Sequence, residues 1–423
     1  MFVMPTHVHF RIEELRSMRL WRTNPLLDIT ITHGEGCMVW DSGGKAYLDM
    51  LSGTWCNVLG YGHPQWIHAI RDQVSKITHT GASFRTIEID AALSKLKEML
   101  PPQLNRGVFL NTGSEAVELA LKMAHAATGG DGIVVVERGY YGATTYAFAL
   151  SEAGRTARYQ PSPGNICRLP APDCRSCPTG RSRSCDGEFT CLETLADLAQ
   201  KGAPCIAAVL YEPVMTGGII APPIGYGARL RALTSRCNAL FIAEEVTTGM
   251  GRTGRWFGFE HENIVPDILV IGKAIGAGLP ISAVVTTDDV EARCGGLLSH
   301  IQSHQNDPFS GRMAATVISI LQEEHLVELA AERGRQLLAG LKELQASHPS
   351  ILDVRGRGLM VGVNLHPDWS CKGMEMSRRL LEAGFIVDYH IPTATFRLFP
   401  PYVISSEQID SFLQASEKVI IQK

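Results

Sequence analysis

Ala239-Leu240-Phe241-Ile242-Ala243-Glu244-Glu245-Val246 and Ile268-Leu269-Val270-Ile271-Gly272-Lys273 share one pattern: a short apolar run that stops on a residue able to do chemistry. Neither run alternates apolar with polar, as a strand with one wet face would. Length alone does not separate a buried strand from a short buried helix, but the flanking Gly and Pro residues favour strands. Runs at Gly107–Leu110, Ile133–Val136, Cys205–Tyr211 and Ser282–Val285 read the same way. Helical stretches fall at 64–77, 88–99, 114–127, 190–201 and 226–237. Strands separated by helices predict an α/β fold, with a mostly parallel central sheet covered by helices on both faces.

Outside this block the pattern changes. A short amphipathic helix is expected over Phe10–Arg22. A hairpin is expected at Met38-Val39-Trp40 and Ala46-Tyr47-Leu48, turning at 41–45. After Gly311 a long helical stretch runs to about Ser347, and a polar helix closes the chain at Ser406–Ile421. The division expected is 1–60 as the N-terminal part of a small α+β domain, 61–310 as the large domain, and 311–423 as the rest of the small one. A chain of 423 residues can bury such cores without disulfides or metals.

Composition excludes some functions. The formal net charge is −4 and no long basic run occurs, so the footprint of a nucleic-acid binder is missing. No apolar run approaches the ~20 residues of a membrane helix, and residues 1–15 lack the core of a signal peptide. A cytoplasmic protein is expected. Most of the eleven cysteines are scattered, as reduced buried residues usually are.

Several apolar runs deliver chemistry at their carboxyl ends. Leu110 leads into Asn111-Thr112-Gly113-Ser114-Glu115, Val136 into Glu137-Arg138-Gly139-Tyr140-Tyr141-Gly142, and Tyr211 into Glu212-Pro213. Ligands of open α/β sheets bind beyond such strand ends. Thr112-Gly113-Ser114-Glu115 has capping-box spacing, so a helix starts there and its free N–H groups suit an anion; an ordinary capped helix reads the same. Lys273 at an apolar strand end is easily deprotonated, which suits Schiff-base chemistry, though a lone lysine is more often a surface residue. Glu244 could pair with a pyridinium nitrogen, or be a salt-bridge partner or metal ligand.

Together these residues resemble the class III aminotransferases, a fold-type I family dependent on pyridoxal 5′-phosphate. The resemblance spans nearly the whole chain. It rests on Leu51-Ser52-Gly53-Thr54-Trp55, Leu59-Gly60-Tyr61-Gly62-His63-Pro64, Phe109 through Ala116, Tyr140-Tyr141-Gly142 and Tyr211-Glu212-Pro213-Val214. Further on it rests on Glu245 through Gly254, Pro266-Asp267-Ile268 through Gly272-Lys273-Ala274, and Arg397-Leu398-Phe399-Pro400-Pro401. It implies a ping-pong transaminase passing an amino group from an amino donor to an oxo acid. Lys273 matches the Schiff-base lysine, and Gly113 and Ser114 match the phosphate cup. Tyr140 matches the ring-stacking aromatic, and Val246 the residue on the opposite ring face. Glu212 matches the acid near the cofactor's phenolic oxygen, and Glu244 stands where the family has the ring-nitrogen carboxylate. Arg397 resembles the arginine that grips a substrate carboxylate, and Trp55 a pocket-lining aromatic.

The sequence departs from the family at four places. Glu244 replaces the usual Asp and adds a methylene. Met215-Thr216-Gly217-Gly218 replaces a stretch with a second glutamate. Ser303-His304-Gln305-Asn306-Asp307-Pro308 replaces Thr-Phe-x-Gly-Asn-Pro; Ser303 keeps the hydroxyl that reaches the neighbouring subunit's cofactor phosphate, which implies a homodimer with shared active sites. Pro170–Cys191 is an insert with Cys174, Cys177, Cys185 and Cys191, read as a zinc or iron–sulfur site, as redox-sensitive thiols or a disulfide, or as functionless. No metal ligand is assigned. The runner-up functions are an amino-acid racemase or epimerase on the same scaffold, with decarboxylation a related outcome, and a non-catalytic cofactor-binding protein.

Overall fold

The computed structural model describes residues 27–157, 164–177, 185, 189–201, 205–295 and 298–421. The helix expected over Phe10–Arg22 lies outside them, as does much of the cysteine insert. The described residues begin with three strands, β1 (Ile31–Glu35), β2 (Met38–Asp41) and β3 (Ala46–Asp49). The central sheet follows: β4 (Arg106–Leu110), β5 (Gly132–Val136), β6 (Ile166–Leu169), β7 (Ile206–Tyr211), β8 (Leu240–Glu245), β9 (Ile268–Ile271) and β10 (Ser282–Thr286). Its seven strands lie in the order β4-β10-β9-β8-β7-β5-β6.

Every apolar run named above became a strand of this sheet. Neighbouring strands from β6 to β9 pair in parallel, whereas β10 runs antiparallel to both β4 and β9. Residues 272–281 are too short for the crossover a parallel β9–β10 pair would need. The strand missed in the sequence is β6, Ile-Cys-Arg-Leu. It lies at the sheet edge, and its Arg168 guanidinium bonds the carbonyls of Ala149 and Leu150 at 2.6 and 2.8 Å. A charged edge strand has no continuous apolar signal to read.

The unbroken apolar runs are explained by burial on both faces. Val134, Val136, Phe241 and Ala243 join one core, while Ile133, Val135, Leu240 and Ile242 join another on the opposite side. Helices Pro64–Val74, Ile87–Met99, Gly113–Thr128 and Tyr226–Arg236 fall close to their expected places. The stretch 190–201 resolves into a 3-10 turn at Thr190–Leu192 and a helix at Glu193–Gln200. The long helical stretch divides into Pro308–Glu323 and Leu326–Ser347. His325 breaks it with a left-handed φ of 52°, and no Gly or Pro marks the break.

The remaining strands are β11 (Ile351–Arg357), β12 (Met360–Leu365), β13 (Phe385–Ile386), β14 (Asp388–His390) and β15 (Thr395–Leu398). Four of them form an antiparallel sheet ordered β11-β12-β15-β14. The fifth, β13, pairs in parallel with β3, so the C-terminal chain completes the N-terminal sheet. Helix Pro308–Glu323 spans residues 310 and 311 and packs against helices Ile87–Met99 and Pro64–Val74.

Candidate active site

The carboxyl ends of β7, β8 and β9 bring Glu212, Glu244 and Lys273 together. Lys273 is held in the left-handed region, φ 45°, immediately after Gly272. Such strain in a non-glycine residue costs of order 1–3 kcal/mol and gathers at functional sites. Its Nζ donates to Thr247 Oγ1 at 2.6 Å and lies 4.8 Å from the centre of the Trp55 ring. Burial lowers the Lys273 pKa, opposed by the nearby Glu244, Cys56 and Glu212 charges. A buried amine biased towards its neutral form is a nucleophile.

Two adjacent glutamates on β8 have different jobs. Glu245 spends its oxygens on the Thr248 hydroxyl at 2.7 Å and on the Gly258 and Phe259 amides at 2.7 and 2.8 Å. It ties the loop after β8 in place. Glu244, one residue earlier and so on the other face of the strand, is 3% exposed. Burial raises its pKa well above the ordinary range, and Glu212 raises it further against the pull of Lys273. A cationic partner would relieve that cost.

Glu212 accepts from the Tyr140 amide at 3.0 Å, the Thr216 amide at 2.8 Å and the Thr216 hydroxyl at 3.2 Å. Burial pushes its pKa up to about 7, with those donors pulling the other way. The paired tyrosines separate cleanly. Tyr141 is core, its hydroxyl on the Val136 carbonyl at 3.1 Å. Tyr140, just past the end of β5, is 43% exposed and electrostatically in reach of Glu244. An aromatic face beside a buried carboxylate fits a flat cationic ring.

The helix at Gly113–Thr128 opens with the full capping box: Thr112 Oγ1 accepts the Glu115 amide at 3.2 Å, and Glu115 Oε2 accepts the Thr112 amide at 2.9 Å. Its first N–H groups remain available to an anion. Val246 packs directly on this turn; a Cβ at Gly113 or at Gly272 would lie 2.9 Å from Val246 Cγ1. Ser114 Oγ accepts the Ala143 amide at 2.9 Å, and Gly142, φ 143°, lets the chain pass it. The buried carboxylate, the Tyr140 aromatic, the glycine turn at a helix N-terminus and the buried lysine are a set of groups compatible with pyridoxal 5′-phosphate.

Arg397 reaches the same Trp55 ring: its Cζ is 4.8 Å from the ring centre. Asp388 faces it across the β14–β15 pair and accepts its Nε at 2.5 Å. Arg397 Nη1 reaches the Thr216 carbonyl at 3.3 Å. Trp55 itself stands on a left-handed turn, φ 50–72° from Ser52 to Trp55, and stacks on Phe399 at 4.4 Å. Asp49 holds that turn by accepting the Leu51 and Gly53 amides and the Tyr61 hydroxyl. Ser303 is exposed, on a turn at 303–306, and among the described contacts none joins it to the Lys273 group.

Sequence reasoning missed Thr247, Thr216, Asp388 and His390. Asp388 had no local signal, because it becomes Arg397's neighbour only through strand pairing. His390 bonds Thr393 Oγ1 at 2.7 Å, and burial with the Arg397 charge pushes its pKa down to about 4.

A buried lysine, two buried carboxylates and a glycine-bearing helix N-terminus at the strand ends of an α/β sheet are the features of a pyridoxal-phosphate enzyme. The class-III aminotransferase family model matches residues 20–420, and the chain belongs to that family. It is 34% identical over 408 residues to an acetylornithine aminotransferase of Mycolicibacterium smegmatis, covering 95% of each chain. An acetylornithine aminotransferase of Methanothermobacter thermautotrophicus is 31% identical, over 97% of this chain and 98% of its own. Among solved structures, a Bacillus anthracis aminotransferase superposes with TM-score 0.88 at 28% identity, covering 96% of both chains. The Pseudomonas jessenii omega transaminase in complex with PMP superposes with TM-score 0.89 at 26% identity, also over 96% of both. The protein is a class III, pyridoxal-phosphate-dependent aminotransferase, transferring an amino group between an amino donor and an oxo acid. Among the described residues, no helix is long and apolar enough to cross a membrane.

Proposed function

We propose that Lys273 is the residue that attaches the cofactor aldehyde and then carries the proton between the substrate Cα and the cofactor's C4′. Bound pyridoxal phosphate supplies an electron sink for the charge that develops at Cα. Glu244 would keep the ring nitrogen protonated, Tyr140 and Val246 would hold the ring, and Gly113 and Ser114 would bind the phosphate. Glu212 sits where it can hold a proton near the phenolic oxygen.

The donor is an amino acid whose carboxylate pairs with Arg397. The observation that carries this reading is the single Trp55 ring shared by the Lys273 amine and the Arg397 guanidinium, each 4.8 Å from its centre. A substrate gripped at Arg397 has its amino end within reach of Lys273. Acetylornithine, the substrate in the names of the relatives, carries such a carboxylate. Ser303 contributes its hydroxyl to the cofactor phosphate of a second subunit, in a cytoplasmic homodimer with shared sites.

The test is a half-reaction screen, following loss of the bound cofactor's absorbance against a library of amino donors. Carboxylate-bearing amino acids should react fastest, and Arg397→Ala should remove that preference. Equal rates with carboxylate-free amines, unchanged by the substitution, would refute the assignment.

A further inference from the structure

A cluster that no step above uses lies beside the turn carrying Ser303. Asp307 precedes helix Pro308–Glu323 and is 6% exposed, yet its side chain does not cap that helix. Its Oδ1 lies 3.0 Å from His79 Nδ1, and its Oδ2 lies 2.9 Å from His304 Nδ1. The two imidazole rings are tilted by 45° with centroids 4.5 Å apart. The donor atoms of all three side chains lie within 4.8 Å of one another.

Two imidazoles and a carboxylate are the donor set of a borderline divalent transition ion. The ligand atoms of a tetrahedral zinc centre with ~2.0 Å bonds stand ~3.3 Å apart. The two Asp307–imidazole separations, each to a different carboxylate oxygen, are 3.0 and 2.9 Å, about 0.3 Å short of that edge, and the imidazole rings would turn to share the ion. Calcium or magnesium would require a shell of oxygens that one carboxylate does not supply. In the single chain the histidine side chains are 42% and 54% exposed; in the proposed dimer they lie beside the subunit contact made by Ser303. The cluster lines a cleft shared with Asn111, Leu279 and Pro280, which leaves room for water or another donor to complete the shell.

We propose that His79, His304 and Asp307 form a binding site for one divalent transition-metal ion of the zinc class. The ion would cross-link the segment after helix Pro64–Val74 to the 303–306 turn. That turn is already fixed to β4, since the Asn306 and Phe109 main chains and the Asn306 side chain bond at 3.0 and 2.9 Å. The rival reading is a hydrogen-bonded brace in which two imidazole N–H groups satisfy the buried carboxylate and no ion binds.

The experiment uses holoenzyme stripped with a chelator, titrated first with Zn²⁺ by calorimetry and then with Co²⁺ by absorption. The expected result is one ion per chain at this site, with weak visible cobalt bands of nitrogen–oxygen ligation. His79→Gln and His304→Gln should each weaken it by at least about tenfold. Both residues are half-exposed, so the variants should fold, and a melting curve checks this. Absence of binding at tens of micromolar protein would overturn the proposal. So would affinity unchanged in the double variant, or a cobalt spectrum with intense thiolate charge transfer alone, which would put the ion on the cysteines instead.

Discussion

Two glutamates side by side, Glu244 and Glu245, show how little residue type says without its surroundings. Glu245 is bound by three donors and braces a loop; Glu244 is buried within electrostatic range of Lys273 and Tyr140. Glu244→Gln should therefore lower kcat by at least about a hundredfold, because a neutral amide cannot hold the ring nitrogen's proton. Glu245→Gln should instead lower the melting temperature with a smaller effect on kcat. Steady-state kinetics and melting curves of both variants check this, and equal kcat losses would contradict the division. Asp388 acts through Arg397, to which it is bonded at 2.5 Å. Asp388→Asn should raise KM for a carboxylate substrate about tenfold with kcat nearly unchanged, the value of about one charge-assisted hydrogen bond. A fall in kcat at constant KM would show that Asp388 does something other than position the guanidinium.

At the scale of elements, the site depends on close approaches that only glycine permits. A Cβ at Gly142 would lie 2.7 Å from Ser114 Oγ, at a φ of 143° that side chains rarely adopt. Gly142→Ala should cost roughly 1–3 kcal/mol of stability and weaken cofactor binding by displacing Ser114, as measured by denaturant melts and cofactor titration. Unchanged affinity would mean that Ser114 is not in the phosphate cup. Strand ends and the capping box were legible in the sequence because runs such as Ile268–Ile271 are buried on both faces and Thr112-x-x-Glu115 is a local signal. What stayed hidden was non-local or lacked punctuation. β6 is a polar edge strand, His325 breaks a helix with neither Gly nor Pro, and Asp388 meets Arg397 only once β14 pairs with β15. Val246 was singled out only by resemblance; the observed contacts are with Gly113 and Gly272.

Across the whole molecule, the burial of Glu212 and Glu244 has a cost that the cofactor's positive ring would offset. In the cofactor-free chain both carboxyls hold protons more tightly folded than unfolded, Glu212 at about 7 and Glu244 well above its usual value. The folded state then binds more protons, so their contribution is fully present below about pH 4.5 and is lost as pH rises towards 7 and beyond. Cofactor-free Glu244→Gln should show a flatter decline of melting temperature between pH 5 and 7.5 than the parent chain. Identical slopes would mean that Glu244 is ionised without the cofactor. The fold places the Lys273 amine and the Arg397 guanidinium at one tryptophan ring, and the proposed chemistry requires the cofactor to be joined at position 273. Borohydride reduction of the protein saturated with pyridoxal 5′-phosphate, followed by peptide mass spectrometry, measures that link directly. The account predicts a single phosphopyridoxyl adduct on Lys273, absent from Lys273→Ala; an adduct on another lysine, or none, would contradict it.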